Sequence, residues 1–350
     1  MSVPDGTPPR AVIFGCEGTA LTEDEQAFFA EADPFGFILF ARNCSDPDQL
    51  KALVAALRQS VQRRDAPVLI DQEGGRVARL QAPHWRHPPP QGLFAALAET
   101  SLEDACRAAF LNARLIGREL AAAGITVDCL PVLDLPQPDA HEIIGDRALG
   151  RDPETIARLG QAICEGLLAE AVLPVIKHIP GHGRARSDSH KALPVVETPL
   201  ETLRETDFVP FRRLASQSLA PWAMTAHVVF TAIDPERPAT ISPDIVGPVI
   251  RDEIGFRGLL LSDDIGMEAL SGDFAQRAAA SLAAGCDIAL HCSGKLEEMK
   301  SVMPGVSPMT QDAEGRSQFA EALRLGEGAS EKTDFADMLA ELATLTGDRH

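Results

Sequence analysis

Short, continuous apolar runs alternate along the chain with longer stretches of helical period. The runs fall at 11–16, 36–41, 67–71, 126–135, 173–178, 222–230, 258–263 and 286–291. Most are rich in Val, Ile and Leu without apolar–polar alternation, the pattern of parallel strands covered on both faces. Helix starts are visible between them. Asp46 precedes Pro47 and Asp152 precedes Pro153, each pair joining an N-cap carboxylate to a proline at the first helical position. Thr22 followed by Glu25 has the spacing of a capping box. Eight strands alternating with helices predict an α/β fold, a single-domain (β/α)8 TIM barrel over residues 1–304. The rival doubly wound sheet announces itself with GxGxxG after its first strand, and no such motif follows Cys16. Residues 305–332 lose apolar density and gain Gly, Ser and Glu, so 305–350 reads as a C-terminal extension. Within it Phe335, Met338, Leu339 and Leu342 repeat at i, i+3, i+4 and i+7, which predicts a terminal amphipathic helix docked on the barrel.

Composition narrows the function classes. With 45% hydrophobic residues the chain can bury a large core, which excludes a disordered or fibrous protein. Asp and Glu (51) outnumber Lys and Arg (32), and the net charge of −19 speaks against nucleic-acid or anionic-membrane partners. The seven cysteines are scattered and contain no CxxC pair, which excludes a disulfide framework or thiolate zinc cluster and fits a reducing compartment. The N-terminus lacks the basic and apolar segments of a signal peptide, and no run of 18 apolar residues occurs. A cytoplasmic protein is expected.

In a parallel barrel the reactive groups gather where strands end, on the C-terminal face. The strand ends carry Arg42, Asn43, Asp71, Asp134, Lys177, His178, His227, Asp263, Asp264 and His291. Each alone reads as a cap or turn residue; together they supply both signs of charge and three histidines. The densest segment is 177–190, KHIPGHGRARSDSH. As a metal site, His178 and His182 have the right separation, but Pro180 and Gly181 block the helical presentation that HExxH requires. As a phosphate cradle, the segment lacks the third glycine of GxGxxG and the GK[ST] of a P-loop. As an acid/base dyad, Asp188 and His190 flank Ser189, and a carboxylate on an imidazole fixes its tautomer and stabilises its protonated form. A solvated polar loop is the remaining alternative. Asp263 ends a stiff apolar run and is well placed as a nucleophile, with Asp264 beside it as the partner of a carboxylate pair, as a magnesium ligand or as the cap of a helix starting at 265–270, the cap being favoured. In 70–80, IDQEGGRVARL, paired glycines allow a sharp turn or a close approach to a ligand. Asp71, Arg76 and Arg79 there offer a carboxylate for hydroxyls and guanidiniums for anions.

These segments resemble the bacterial β-N-acetylglucosaminidases of glycoside hydrolase family 3, of the type that works in peptidoglycan recycling. The matching strings are FILFARN (37–43), IDQEGGRVARL (70–80), GDRA (145–148), KHIPGHGRARSDSH (177–190), TAHVVF (225–230) and GLLLSDDIGM (258–267), in the family's order. The resemblance implies that Asp263 is the catalytic nucleophile, His190 the general acid/base and Asp188 its orienting partner. It implies that Asp71, Arg79, Arg147, Lys177 and His178 bind the N-acetylglucosamine. The implied reaction is retaining hydrolysis of GlcNAc-1,6-anhydro-MurNAc, with or without peptide, by a monomer needing no metal or organic cofactor. Phosphorolysis by a member of the same family, a non-catalytic sugar sensor, and a metal-dependent hydrolase built on His178, His182, His227 and Asp263 are the alternatives. Arg79, Arg147, Lys177, Arg184 and Arg186 suggest a locally cationic mouth suited to a muropeptide's carboxylates. Arg184 and Arg186 either contact substrate or lie in solvent. The absence of Tyr and the two Trp residues favour a small pocket over a long cleft of stacked sugars.

Overall fold

In the computed structural model, residues 8–137, 144–185, 193–217, 219–327 and 333–347 are described. Among the described residues ten strands follow in chain order: β1 (Arg10–Phe14), β2 (Pro34–Leu39), β3 (Val68–Ile70), β4 (Val127–Asp128), β5 (Leu173–Ile179), β6 (Val195–Val196), β7 (Trp222–Thr225), β8 (Val229–Phe230), β9 (Leu259–Asp264) and β10 (Ile288–His291). Eight close into a barrel in the order β1-β2-β3-β4-β5-β7-β9-β10, every pairing parallel. Closure pairs β1 with β10, Val12 opposite Ala289, and leaves no free edge. All residues of β2 and β5 are buried, which is why these strands read as unbroken apolar runs. The expected (β/α)8 barrel is therefore the fold.

Two of the runs are not single strands. The run 126–135 contributes only Val127–Asp128 as regular strand, because Pro131 has no N–H to give the ladder. The chain nevertheless stays beside β5, with Leu133 N–H donating to Lys177 O at 2.7 Å. The run 222–230 divides. Its first part is barrel strand β7, whose partner β5 ends at Ile179 where Pro180 follows. Its last part, β8, leaves the barrel and pairs with β6 in a two-stranded sheet above the C-terminal face.

The helix starts follow their caps. Asp46 and Asp152 accept from the amides of Gln49 and Thr155, with Pro47 and Pro153 opening the helices. Thr22 and Glu25 form the reciprocal capping box. After residue 304 the chain continues as helix Gln311–Glu327, whose Arg316 reaches Asp287 beneath β10. Helix Phe335–Thr346 then packs on helix Leu102–Ala123, burying Met338 and Leu342 and pairing Glu341 with Arg107. Among the described residues no helix is long and apolar enough to cross a membrane.

Candidate active site

The C-terminal ends of the strands enclose a cavity of about 230 Å³. One wall is a chain of alternating charges. Lys177, near the end of β5, places Nζ 2.8 Å from Asp71 Oδ1 and 2.6 Å from Glu73 Oε1. Arg147 grips Glu73 with two bonds of 2.8 Å, and Arg79 lies 3.3 Å from Asp71 Oδ2. Asp71 follows β3 directly, and the turn after it swings Glu73 inward. Gly74 and Gly75 take φ of +96° and +55° there, and a Cβ on Gly74 would run into the Pro89 carbonyl. The glycine pair thus packs against the proline-rich loop.

Electrostatics keep this wall ionised. Burial would raise the Asp71 carboxyl, but Lys177 and Arg79 hold it well below the usual carboxylate range. Burial opposes ionisation of Glu73 too, and Lys177 and Arg147 bring it down to about 2. The same carboxylates keep the buried Lys177 firmly an ammonium, against the pull of desolvation. The result is a fixed constellation of donors and acceptors suited to hydroxyl and amide groups.

Beside it His178 Nδ1 lies 2.7 Å from Asp134 Oδ2, and Asp134 Oδ1 accepts the amides of His178 and His182. Asp134 is drawn down to about 2 by His178 against the effect of burial. Burial and the neighbouring His178 push His182 down to about 4, so its ring is neutral at pH 7.

Asp263 stands at the end of β9 on the cavity lining. Burial would raise its carboxyl, but His227 and His178 nearby hold it below the ordinary value. The Asp264 amide donates to its Oδ1 at 2.8 Å. Asp264 itself is pushed above the ordinary value by burial. Its carboxylate accepts from the amides of Gly266 and Cys292. It caps no helix, because 265–270 forms turns and the next helix, Phe274–Ala284, takes its cap from Asp273.

The structure brings Asp71, Arg79, Arg147, Lys177, His178 and Asp263 onto one cavity although they span 193 positions (263 − 71 + 1). Asp188, His190 and Arg186 lie outside the described residues. Arg184 is not on the cavity lining and is largely out of solvent: it binds Asp207 Oδ2 at 2.7 Å and Thr206 Oγ1 at 3.0 Å. Among the described residues the lining is not cationic either, since Arg76, Arg79, Arg147 and Lys177 are matched in number by Asp71, Glu73, Asp263 and Asp264, and Arg76 itself pairs with Asp146. Sequence reasoning did not single out Glu73, the common counter-ion of Lys177 and Arg147; a carboxylate immediately before paired glycines was its signal. His227 spends both ring nitrogens on Thr240 and the Asp264 carbonyl, which removes it from any ligand set.

The family described as "Glycosyl hydrolase family 3 N terminal domain" matches residues 14–314. A beta-hexosaminidase of Alkalilimnicola ehrlichii is 39% identical over 284 residues, covering 81% of this chain and 80% of the relative. One from Chromobacterium violaceum is 35% identical over 335 residues, covering 95% and 91%. Among solved structures, NagZ from Neisseria gonorrhoeae in complex with N-trifluoroacetyl-D-glucosamine superposes with a TM-score of 0.85 at 32% identity, over 97% of this chain and 98% of that one.

Proposed function

The chain belongs to glycosyl hydrolase family 3, and from that premise we propose that it is a retaining, exo-acting β-N-acetylglucosaminidase. The observation that carries this reading is Asp263. A carboxylate kept ionised at the end of a rigid strand faces, across a small cavity, a wall of fixed donors and acceptors. The cavity of about 230 Å³ lies below the roughly 300–1,000 Å³ of pockets for drug-sized ligands and suits one sugar ring. The gonococcal relative was solved with an N-acylated glucosamine.

In this reading Asp71, Arg79, Arg147, Lys177 and His178 bind the N-acetylglucosamine. Asp263 attacks its anomeric carbon and the glycosidic C–O bond breaks, giving a glycosyl ester. His190 protonates the departing oxygen, then takes a proton from the water that opens the ester. Asp188 orients His190 throughout. A histidine in place of the usual second carboxylate avoids like-charge repulsion against an anionic substrate. The substrate we assign is GlcNAc-1,6-anhydro-MurNAc, with or without its peptide, in cytoplasmic peptidoglycan recycling.

NMR-monitored cleavage of 4-nitrophenyl β-N-acetylglucosaminide tests the reading, in phosphate-free buffer and again with phosphate. The expected first product is β-GlcNAc in both. GlcNAc-1-phosphate appearing with phosphate moves the assignment to phosphorolysis. Initial α-GlcNAc sinks the covalent mechanism, and tight sugar binding without turnover makes the protein a sensor.

A further inference from the structure

The TAHVVF string contains a histidine and a threonine to which the proposed chemistry gives no work. Thr225, His227 and Thr240 are fully buried, yet each is polar. Their hydrogen bonds form one circuit. The Asp263 amide donates to Thr225 Oγ1 at 3.3 Å, and Thr225 Oγ1 lies 2.8 Å from Thr240 Oγ1. Thr240 Oγ1 lies 2.7 Å from His227 Nδ1, and His227 Nε2 lies 2.9 Å from the Asp264 carbonyl. The circuit begins on the backbone just before the Asp263 side chain and ends just after Asp264.

Its two ends have fixed polarity. A backbone amide can only donate, so Thr225 accepts from Asp263. A carbonyl can only accept, so His227 Nε2 carries a proton. In a neutral ring the donors run from Thr225 to Thr240 to Nδ1. In a protonated ring Nδ1 donates to Thr240, whose hydroxyl turns to the Ala226 carbonyl 3.1 Å away. Both arrangements hold the Asp263–Asp264 dipeptide at both ends. Between those ends the Asp264 amide ties down Asp263 Oδ1, which leaves Oδ2 for the cavity.

We propose that Thr225, Thr240 and His227 form a positioning relay that clamps the backbone around Asp263 and thereby aims its carboxylate at the anomeric carbon. The proposal rests on Asp263 being the nucleophile. The relay joins the end of β7, the turn Ala239–Ile241 and the end of β9, and its side-chain hydrogen bonds reach neither Lys177 nor Glu73, although Met224 of β7 pairs with Lys177 in the backbone ladder. Losing a link therefore displaces the nucleophile without dismantling the sugar-binding wall. Displacement of a reacting group by about 1 Å costs on the order of 100-fold in rate.

The test uses the full chain with 2,4-dinitrophenyl β-N-acetylglucosaminide, whose leaving group needs no proton, so the single-turnover burst reads the attack by Asp263 alone. Thr240→Val and Thr225→Val are expected to slow the burst about 100-fold. GlcNAc affinity should stay within about twofold, and Thr240→Ser and Thr225→Ser should restore the rate to within about threefold, because a hydroxyl suffices. Valine variants as fast as the natural protein overturn the relay. So does loss of rate and GlcNAc binding together, or failure of both valine variants to fold, since either assigns these residues to stability. A separate arm guards the premise: Asp263→Asn with an undiminished burst, or no burst from the natural protein, overturns the nucleophile assignment instead.

Discussion

The two ends of the barrel hold similar ionic assemblies with different consequences. At the C-terminal end, Asp71 and Glu73 are shared among Lys177, Arg79 and Arg147. At the N-terminal end, Asp287 is shared by Arg251 and Arg316 and also accepts the Leu260 amide at 2.8 Å. Both are largely buried, both carry more cations than carboxylates, and both border cavities, the lower one larger at about 380 Å³. Cavity size and buried charge therefore do not distinguish a site from a strut. What does is the company each keeps. The upper assembly faces Asp263, His178 and His182 across open space, whereas the lower one joins Asp287, just before β10, to a helix on either side. Parallel strands in a barrel send their loops to one end for chemistry and leave the other for stability.

That contrast can be broken most decisively at the proposed nucleophile. Asp263→Asn is expected to lower kcat on the order of 10⁴-fold, with GlcNAc binding and thermal unfolding nearly unchanged; steady-state kinetics beside calorimetry checks it. Loss of folding in that variant would make Asp263 structural, and the upper end no different from the lower.

The paired substitutions Glu73→Gln and Asp287→Asn sharpen it next. Each strands buried cations and should cost about 3–5 kcal/mol in urea unfolding. Glu73→Gln should also weaken GlcNAc binding at least about tenfold, or about 1.4 kcal/mol, while Asp287→Asn leaves kcat/KM within about twofold. Equal loss of kcat/KM in both variants would erase the distinction.

A pH series separates the contributions of the upper end. His182 titrates near 4 in the folded protein against about 6.5 unfolded. Between those values the unfolded chain binds the extra proton, so stability is complete above about pH 6.5 and declines as pH falls toward 4. Glu73 and Asp134, both near 2 when folded, add a second decline below about pH 4.3 as the unfolded carboxyls protonate first. Calorimetric melting from pH 8 to 3 should show the first window, and His182→Gln should shrink it, leaving the share of His291, which burial also holds below the ordinary imidazole value. A melting temperature flat from pH 7 to 5 in the natural protein would contradict the assignment.

The smallest expected effect is at Arg184. Arg184→Ala leaves the buried Asp207 only the Thr206 hydroxyl and should cost about 1–3 kcal/mol. Because the guanidinium is turned to Asp207 and Thr206, KM should be equally unaffected for neutral and carboxylate-bearing substrates. A selective rise in KM for the anionic substrate would return Arg184 to the mouth of the site.

Much of this was legible in order along the chain. The caps at Thr22, Asp46 and Asp152, and six of the eight barrel strands, follow from local chemistry: a carboxylate or hydroxyl before a helix start, and β-branched runs buried on both faces. The runs at 126–135 and 222–230 misled because hydrophobicity reports burial, and not which strand supplies the hydrogen bonds; Pro131 and Pro180 decided that. Residues 305–327 looked loose because helix Gln311–Glu327 is held through Ala313, Ala320 and the Arg316–Asp287 pair, more than by a dense apolar stripe.

By itself the sequence determined the barrel, its caps and the carboxylates and cations brought to the strand ends, because period, burial pattern and motif spacing are properties of neighbouring residues. Only the tertiary structure decided that Glu73 joins Lys177 to Arg147, that Arg184 turns to Asp207, and that Thr225, Thr240 and His227 close a circuit around Asp263. Those pairings form across strands and loops far apart in the chain, and a long-range partner is chosen by the geometry of closure, which no local pattern records.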